Sequence, residues 1–321
     1  MINLKPKMFD EASKSHASPN LAVQLISFVV LFLVIYLAES IVPAILSYQP
    51  LMDILTEQGK LDEGQKLSIS EAIEYSAKLT ESPRIMISML ISTVAGTLLS
   101  IFYCRFIEMR TVSSMGVRKR RLVPNYFIGI GVGLLMMTTI TMLTVLSGAN
   151  SIKLCSDINV KIILLFLLGF FFQGMSEEFI FRGCLMNSVG GKHSPYLAIA
   201  ISSVAFAAAH LANPGISVLA MINLTLFGVF AAVYMIYFDD IWGVCAIHSI
   251  WNFSQGNIFG ISVSGSVNAE SVFRTVNKSD SAVLNGGNFG IEGSIFTTLV
   301  LCAGTAVMLL LIKKKQSPKT K

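Results

Sequence analysis

The sequence predicts an all-α fold, a polytopic membrane helix bundle with about eight transmembrane helices. Three observations point to it. Of 321 residues, 53% are hydrophobic and 13% charged, about half the charged share of an ordinary soluble domain. Mean hydropathy is +0.67. Apolar stretches near the ~20 residues that a span requires recur along the chain, and basic residues collect between and beyond them.

The elements follow in order. A polar N-terminal segment carries Lys5, Lys7 and Lys14 and does not have the form of a cleavable signal peptide. The first apolar stretch is Asn20–Leu46. The loop Ser47–Pro83 is acidic, with Asp53, Glu57, Asp62, Glu63, Glu71, Glu74 and Glu81. The second stretch, Arg84–Phe106, leads into Arg105, Arg110, Arg118, Lys119, Arg120 and Arg121. The third is Asn125–Leu146, whose methionines read as bundle filler. The fourth is Val160–Met186, the fifth Pro195–Leu211, the sixth Ile216–Phe238 and the seventh Ile241–Ile258. The Ser, Asn and Gly-rich segment Ser262–Gly293 is expected as a flexible outer loop rather than a flap folded over the bundle. The eighth stretch, Ser294–Ile312, precedes Lys313, Lys314, Lys315, Lys319 and Lys321.

Positive residues mark the cytoplasmic side of a membrane protein. The three basic segments are therefore expected inside, the acidic loop outside, and an even number of spans puts both termini in the cytoplasm. Residues 1–321 read as a single integral membrane domain. The net charge of +5 is then a topology signal, and nucleic acid is excluded as a partner because no recognition motif accompanies it. Cys104, Cys155, Cys184, Cys245 and Cys302 show no metal-knuckle or disulfide spacing and read as small apolar residues.

The fourth stretch, VKIILLFLLGFFFQGMSEEFIFRGCLM, places Glu177, Glu178 and Arg182 where hydrocarbon is expected. A charge at that depth costs at least about 2.5 kcal/mol, so such groups persist when they pair, line a wet cavity or do chemistry. Glu178 and Arg182 are four apart and share a helix face, whereas Glu177 points about 100° away. His210 on the fifth stretch, with Phe206 four before it, and His248 and Asn252 on the seventh complete the polar set. His16 and His193 fall in polar segments and read as solvated. A buried Glu can serve as general base on water, a His opposite can hold the same water, and a second His with an Asn can donate to a developing oxyanion. These parts suffice for amide hydrolysis without a Ser or Cys nucleophile. Glu177, His210 and His248 could instead hold zinc. The local HExxH signature is absent, so no cofactor is required and zinc stays an alternative. Trp242 and Trp251 read as interfacial or packing aromatics.

The patterns EExxxR (Glu177, Glu178, Arg182), FxxxH (Phe206, His210) and HxxxN (His248, Asn252), in that order on successive polar-bearing stretches, resemble the CAAX-processing and bacteriocin-processing (CPBP) family of intramembrane endopeptidases. That family includes the Ras-converting CAAX protease. The stretch LFGVFAAVYMIYFDDIWGVCAIHSIWNFSQGNIFG, Leu226–Gly260, resembles bacterial members especially. The resemblance covers residues 160–260, which it implies to be the catalytic core. It implies that Glu177 activates water with His210, that His248 and Asn252 stabilise the oxyanion, that Glu178 and Arg182 support the site, and that Phe206 shapes it. It further implies a bacterial cell membrane and, as substrate, a membrane-associated peptide or protein such as a pheromone or bacteriocin precursor. Two other classes fit parts of the pattern: a catalytically idle scaffold or immunity protein on the same fold, and a proton-coupled transporter, which also places Glu and His in mid-membrane.

Overall fold

The computed structural model describes residues 4–16, 18–57, 68, 71, 74–75, 78–79, 82–266 and 270–317. Asp62, Glu63, Glu81, Lys319 and Lys321 lie outside the described residues, as do 267–269 of the Ser and Gly-rich segment.

A short helix α1 (Lys7–Ala12) precedes α2 (Leu21–Glu57), which runs well past the expected end of the first stretch, so the acidic loop begins later than Ser47. The second stretch is three pieces: α3 (Pro83–Ser92), α4 (Val94–Phe102) and a π-helical turn (Tyr103–Ile107). Next come α5 (Leu122–Leu146) and strand β1 (Asn150–Leu154). Helix α6 (Val160–Glu178) continues through a π-helical segment (Phe179–Met186) into α7 (Asn187–Lys192). Helices α8 (Pro195–Ala208), α9 (Val218–Phe238) and α10 (Trp242–Phe253) follow, the last extended by a π-helical turn (Ser254–Ile258). The chain closes with β2 (Phe273–Asn277), α11 (Ala282–Asn285) and α12 (Ile295–Gln316).

The protein is an integral membrane protein. Among the described residues, six helical stretches are long and apolar enough to cross a bilayer: Leu21–Glu57, Pro83–Ile107, Leu122–Leu146, Val160–Lys192, Val218–Phe238 and Ile295–Gln316. The expectation of eight is therefore not met by length. Helix α8 has 14 residues, about 21 Å at 1.5 Å per residue. Helix α10 has 12 before its π turn. Both fall short of the length that a span requires.

Local sequence sets the starts. The side chains of Asn159, Ser194, Ser217 and Ser294 accept hydrogen bonds from Ile162, Leu197, Ala220 and Thr297 backbone N–H groups, capping α6, α8, α9 and α12. Each cap satisfies a donor the helix cannot. Helix α10 packs between α5 and α6, α9 against α8 and α12, and α2 against α3 and α4. Close approach of α6 to α10 depends on Gly174, where a Cβ would lie 2.5 Å from the Ser249 backbone nitrogen. Lipid-facing apolar residues such as Ile26, Leu37 and Leu135 are exposed around this core, as bilayer contact requires.

The segment expected as a flexible outer loop is instead built onto the bundle. Strand β2 pairs antiparallel with β1, Lys153 opposite Arg274. Buried Glu292 accepts from Ser264 N at 2.8 Å and from Gln255 Nε2 at 3.2 Å. Asn223 Nδ2 donates to the Glu292 and Ser294 carbonyls at 2.6 and 2.8 Å. Composition gave a turn-rich segment but not these long-range partners.

At the opposite end of α5, charges expected as exposed topology signals are packed. Arg110 is buried, ion-paired with Glu108, and donates to Ser114 Oγ at 2.7 Å and to the Gly183 carbonyl at 3.1 Å. It thus caps a carbonyl of the π-helical segment that follows Glu178. Burial works against its charge, but Glu108 outweighs this and holds the guanidinium above its usual range. Arg118 clamps Glu11 of α1 at 2.9 Å and Asp239 at 2.8 Å, and Trp242 Nε1 donates to its carbonyl at 2.9 Å. Trp251 is buried against Phe227. Cys104, Cys184 and Cys245 are buried and all five cysteines are free.

Candidate active site

Three polar-bearing helices converge on one cavity of about 640 Å³. Glu177, His210, His248 and Asn252 all border it. Glu178 does not, and its carboxylate is fully buried behind them.

The geometry is a relay. Arg182 Nε lies 3.2 Å from Glu178 Oε2, both side chains wholly buried; the contact is an ion pair rather than an aligned hydrogen bond. Glu178 Oε1 meets His248 Nδ1 at 2.8 Å. His248 Nε2 in turn faces Glu177 Oε2 at 3.6 Å. Helical spacing foresaw the Glu178–Arg182 pair. It could not foresee that the adjacent carboxylates bracket one imidazole, because that contact depends on how α10 docks on α6.

Phe206 organises the rest. The Arg182 guanidinium stands 4.5 Å over its ring, a cation–π contact that steadies the buried charge. Phe181 packs edge-on at 5.4 Å, Phe227 stacks at 5.8 Å, and the His248 ring lies 5.8 Å away. His210 sits in the turn just beyond α8, its Nδ1 bonded to the Phe206 carbonyl at 2.8 Å and its ring 4.8 Å from the Phe206 ring. That bond leaves Nε2 as the free ring nitrogen. The shortness of α8 also explains how His210 reaches the cavity: it ends its helix rather than lying deep inside one.

Two cavity residues near Glu177 escaped the sequence reading. Gln173, one turn before Glu177, donates to Glu177 Oε1 and accepts from Asn252 Nδ2 at 2.9 Å. Its signal was an amide in an apolar run at i−4 to Glu177. Glu39 on α2 borders the same cavity; its signal was an acid inside the first apolar stretch. His193, expected as solvated, is only partly exposed.

Among the described residues no three His, Cys, Asp or Glu side chains converge so as to hold a metal ion. His248 has its two nitrogens directed at Glu178 and Glu177, and His210 stands apart from that pair. Glu177, His210 and His248 therefore do not fit a zinc site.

The fold and site together define a polytopic membrane bundle with a carboxylate–histidine chain that opens on an internal cavity. Residues 159–254 match the family model described as Type II CAAX prenyl endopeptidase Rce1-like. This segment is an Rce1-like domain, consistent with the CPBP family. Comparison with curated proteins and with solved structures gives no match.

Proposed function

We propose that this protein hydrolyses a peptide bond of a membrane-associated peptide or protein by a water that Glu177 activates. The observation that carries the reading is the Glu177–His248–Glu178–Arg182 relay, which ends in the cavity at Glu177. Glu178 and Arg182 fix the imidazole, and Gln173 fixes the Glu177 carboxylate.

In the reaction Glu177 takes a proton from water as its oxygen attacks the carbonyl carbon. His210, through Nε2, holds that water from across the cavity. A proton on His248 Nε2 and the second N–H of the Asn252 amide, whose first serves Gln173, stabilise the oxyanion. Such preorganised donors contribute about 10²–10³ in rate. Apolar cavity residues, including Met86, Leu90, Phe170 and Leu224, suit a lipidated or otherwise membrane-bound peptide. A prenylated C-terminal motif is the substrate named by the family, and a bacterial pheromone or bacteriocin precursor is the expectation from the sequence. The residues 160–260 would form the catalytic core of one membrane domain, both termini in the cytoplasm of a bacterial cell.

The test is cleavage of a fluorogenic membrane-peptide library, prenylated and unmodified, by purified protein and by Glu177→Ala and Glu178→Ala, with and without chelator. Cleavage lost in Glu177→Ala and retained under chelator supports the reading. Cleavage that needs added zinc rejects it. A folded wild type that cleaves nothing in the library favours the idle scaffold.

A further inference from the structure

Glu39 lies midway along α2 and borders the cavity that holds Glu177, His210, His248 and Asn252. Its Oε1 accepts from Ser176 Oγ at 3.4 Å, one residue before Glu177. Helix α4 closes over this contact at Gly96. A Cβ there would stand 2.5 Å from the same Glu39 oxygen and 2.3 Å from Ser176 Oγ. Three helices thus meet where there is room for a hydrogen and little more, and the Glu39 carboxyl is held against the Glu177 turn.

The two carboxyl groups interact electrostatically. Other charges on elements around α2 are engaged or distant. Arg182 pairs with Glu178, Lys192 donates to the Ser13 and Ser15 carbonyls, and Lys78 pairs with Glu74. Arg84 and Arg105 stand near the opposite ends of the α3–α4 stretch. Two carboxyl groups in one low-dielectric site do not both ionise readily. Glu177 receives the Gln173 amide and faces His248, which support it as the anion. Glu39 meets only the Ser176 hydroxyl at 3.4 Å and the Gly96 backbone N–H, neither of them charged, and is the member of the pair better placed to hold a proton.

We infer that Glu39 is the acid that protonates the leaving amine, a catalytic residue additional to the motif positions. The inference rests on the proteolytic reading above. Water loses a proton to Glu177 and its oxygen bonds to the carbonyl carbon. The C–N bond then breaks, its electron pair goes to nitrogen, and that nitrogen takes the proton from Glu39. The proton on Glu177 passes to Glu39 and restores the pair. No redox partner is needed, and atoms and charge balance.

The full-length protein, wild type and Glu39→Gln, Glu39→Asp and Glu177→Gln, is reconstituted in lipid nanodiscs. Infrared spectroscopy at neutral pH is expected to show a deuterium-sensitive protonated-carboxyl band that Glu39→Gln loses; a wild type without that band overturns the inference. The activity arm uses a peptide cleaved in the library screen and its ester analogue, with oxygen replacing the scissile nitrogen. An ester leaving group needs no prior protonation. Glu39→Gln is expected to lose amide cleavage by about 10²-fold or more while ester cleavage changes less than about tenfold, and Glu39→Asp to recover part of the amide rate. Equal losses on both substrates mark a structural role and overturn it. Glu177→Gln is expected to lose both activities. If it retains them, the glutamate-water reading fails, whatever Glu39 does. The infrared band still reports the Glu39 proton if no library member is cleaved.

Discussion

At the scale of single residues, Glu177→Ala is expected to lower kcat by about 10²–10⁴ with the protein still folded, read by peptide cleavage beside a thermal melt. The candidate site was legible where one helix carries both partners. Glu178 and Arg182 could be paired by counting four residues. Glu39 could not be linked to Glu177, because a fold brings together helices that are more than a hundred positions apart. Asp240, outside the spans, offers a pH signature. Burial pushes its carboxyl up to about 6, partly opposed by the Trp242 N–H at 2.9 Å. The folded state therefore binds the Asp240 proton more tightly than the unfolded chain. Its contribution is fully favourable below the unfolded value near 4 and is lost as pH rises through about 6. Asp240→Asn should raise the melting temperature relative to wild type above pH about 6 and not near pH 4. Equal melting temperatures at both pH values would refute this.

At the scale of elements, the long apolar helices were readable from composition because lipid contact imposes a single chemistry on them. Helices α8 and α10 are shorter than the stretches expected as spans. Helix α10 is apolar because it is enclosed by protein, while α8 buries one face and exposes Tyr196 and Val204 on the other, and hydropathy does not separate these causes from a full span. The β1–β2 pair was missed because its strands are joined by more than a hundred residues. Two predictions belong here. Gly174→Ala pushes α10 off α6, and with it His248 from Glu177; a displacement of about 1 Å suffices for a loss of about 10²-fold in kcat/KM. Wild-type kinetics in this variant would show that the helices absorb the methyl group. Arg110→Met leaves Glu108 buried without its partner and the Gly183 carbonyl uncapped. Loss of one member of a buried pair costs about 3–5 kcal/mol, so denaturation in detergent should show a marked fall in stability. An unchanged melt would place Arg110 among dispensable charges.

At the scale of the whole molecule, the basic clusters and the acidic loop were expected at different ends of the bundle. What they could not reveal was how many of those charges are internal struts, as Arg110 and Arg118 are. The orientation itself is testable. Arg120 lies at one end of α5, while Lys278 donates its N–H to the Ala149 carbonyl at the other, about 37 Å away along a 25-residue helix. In a cysteine-free background, Lys278→Cys should react with an impermeant thiol reagent on intact cells, and Arg120→Cys only after permeabilisation. The reverse pattern would invert the topology.

The antiparallel pairing of Lys153 with Arg274 has a mechanical consequence. It stitches the run-in to the Glu177 helix to the run-out from the His248 helix, like a clasp across the spine of a book. Helices α2 and α3 border the cavity on another side; substrate entry there does not require this edge to open, so a disulfide joining Lys153→Cys to Arg274→Cys should leave turnover intact.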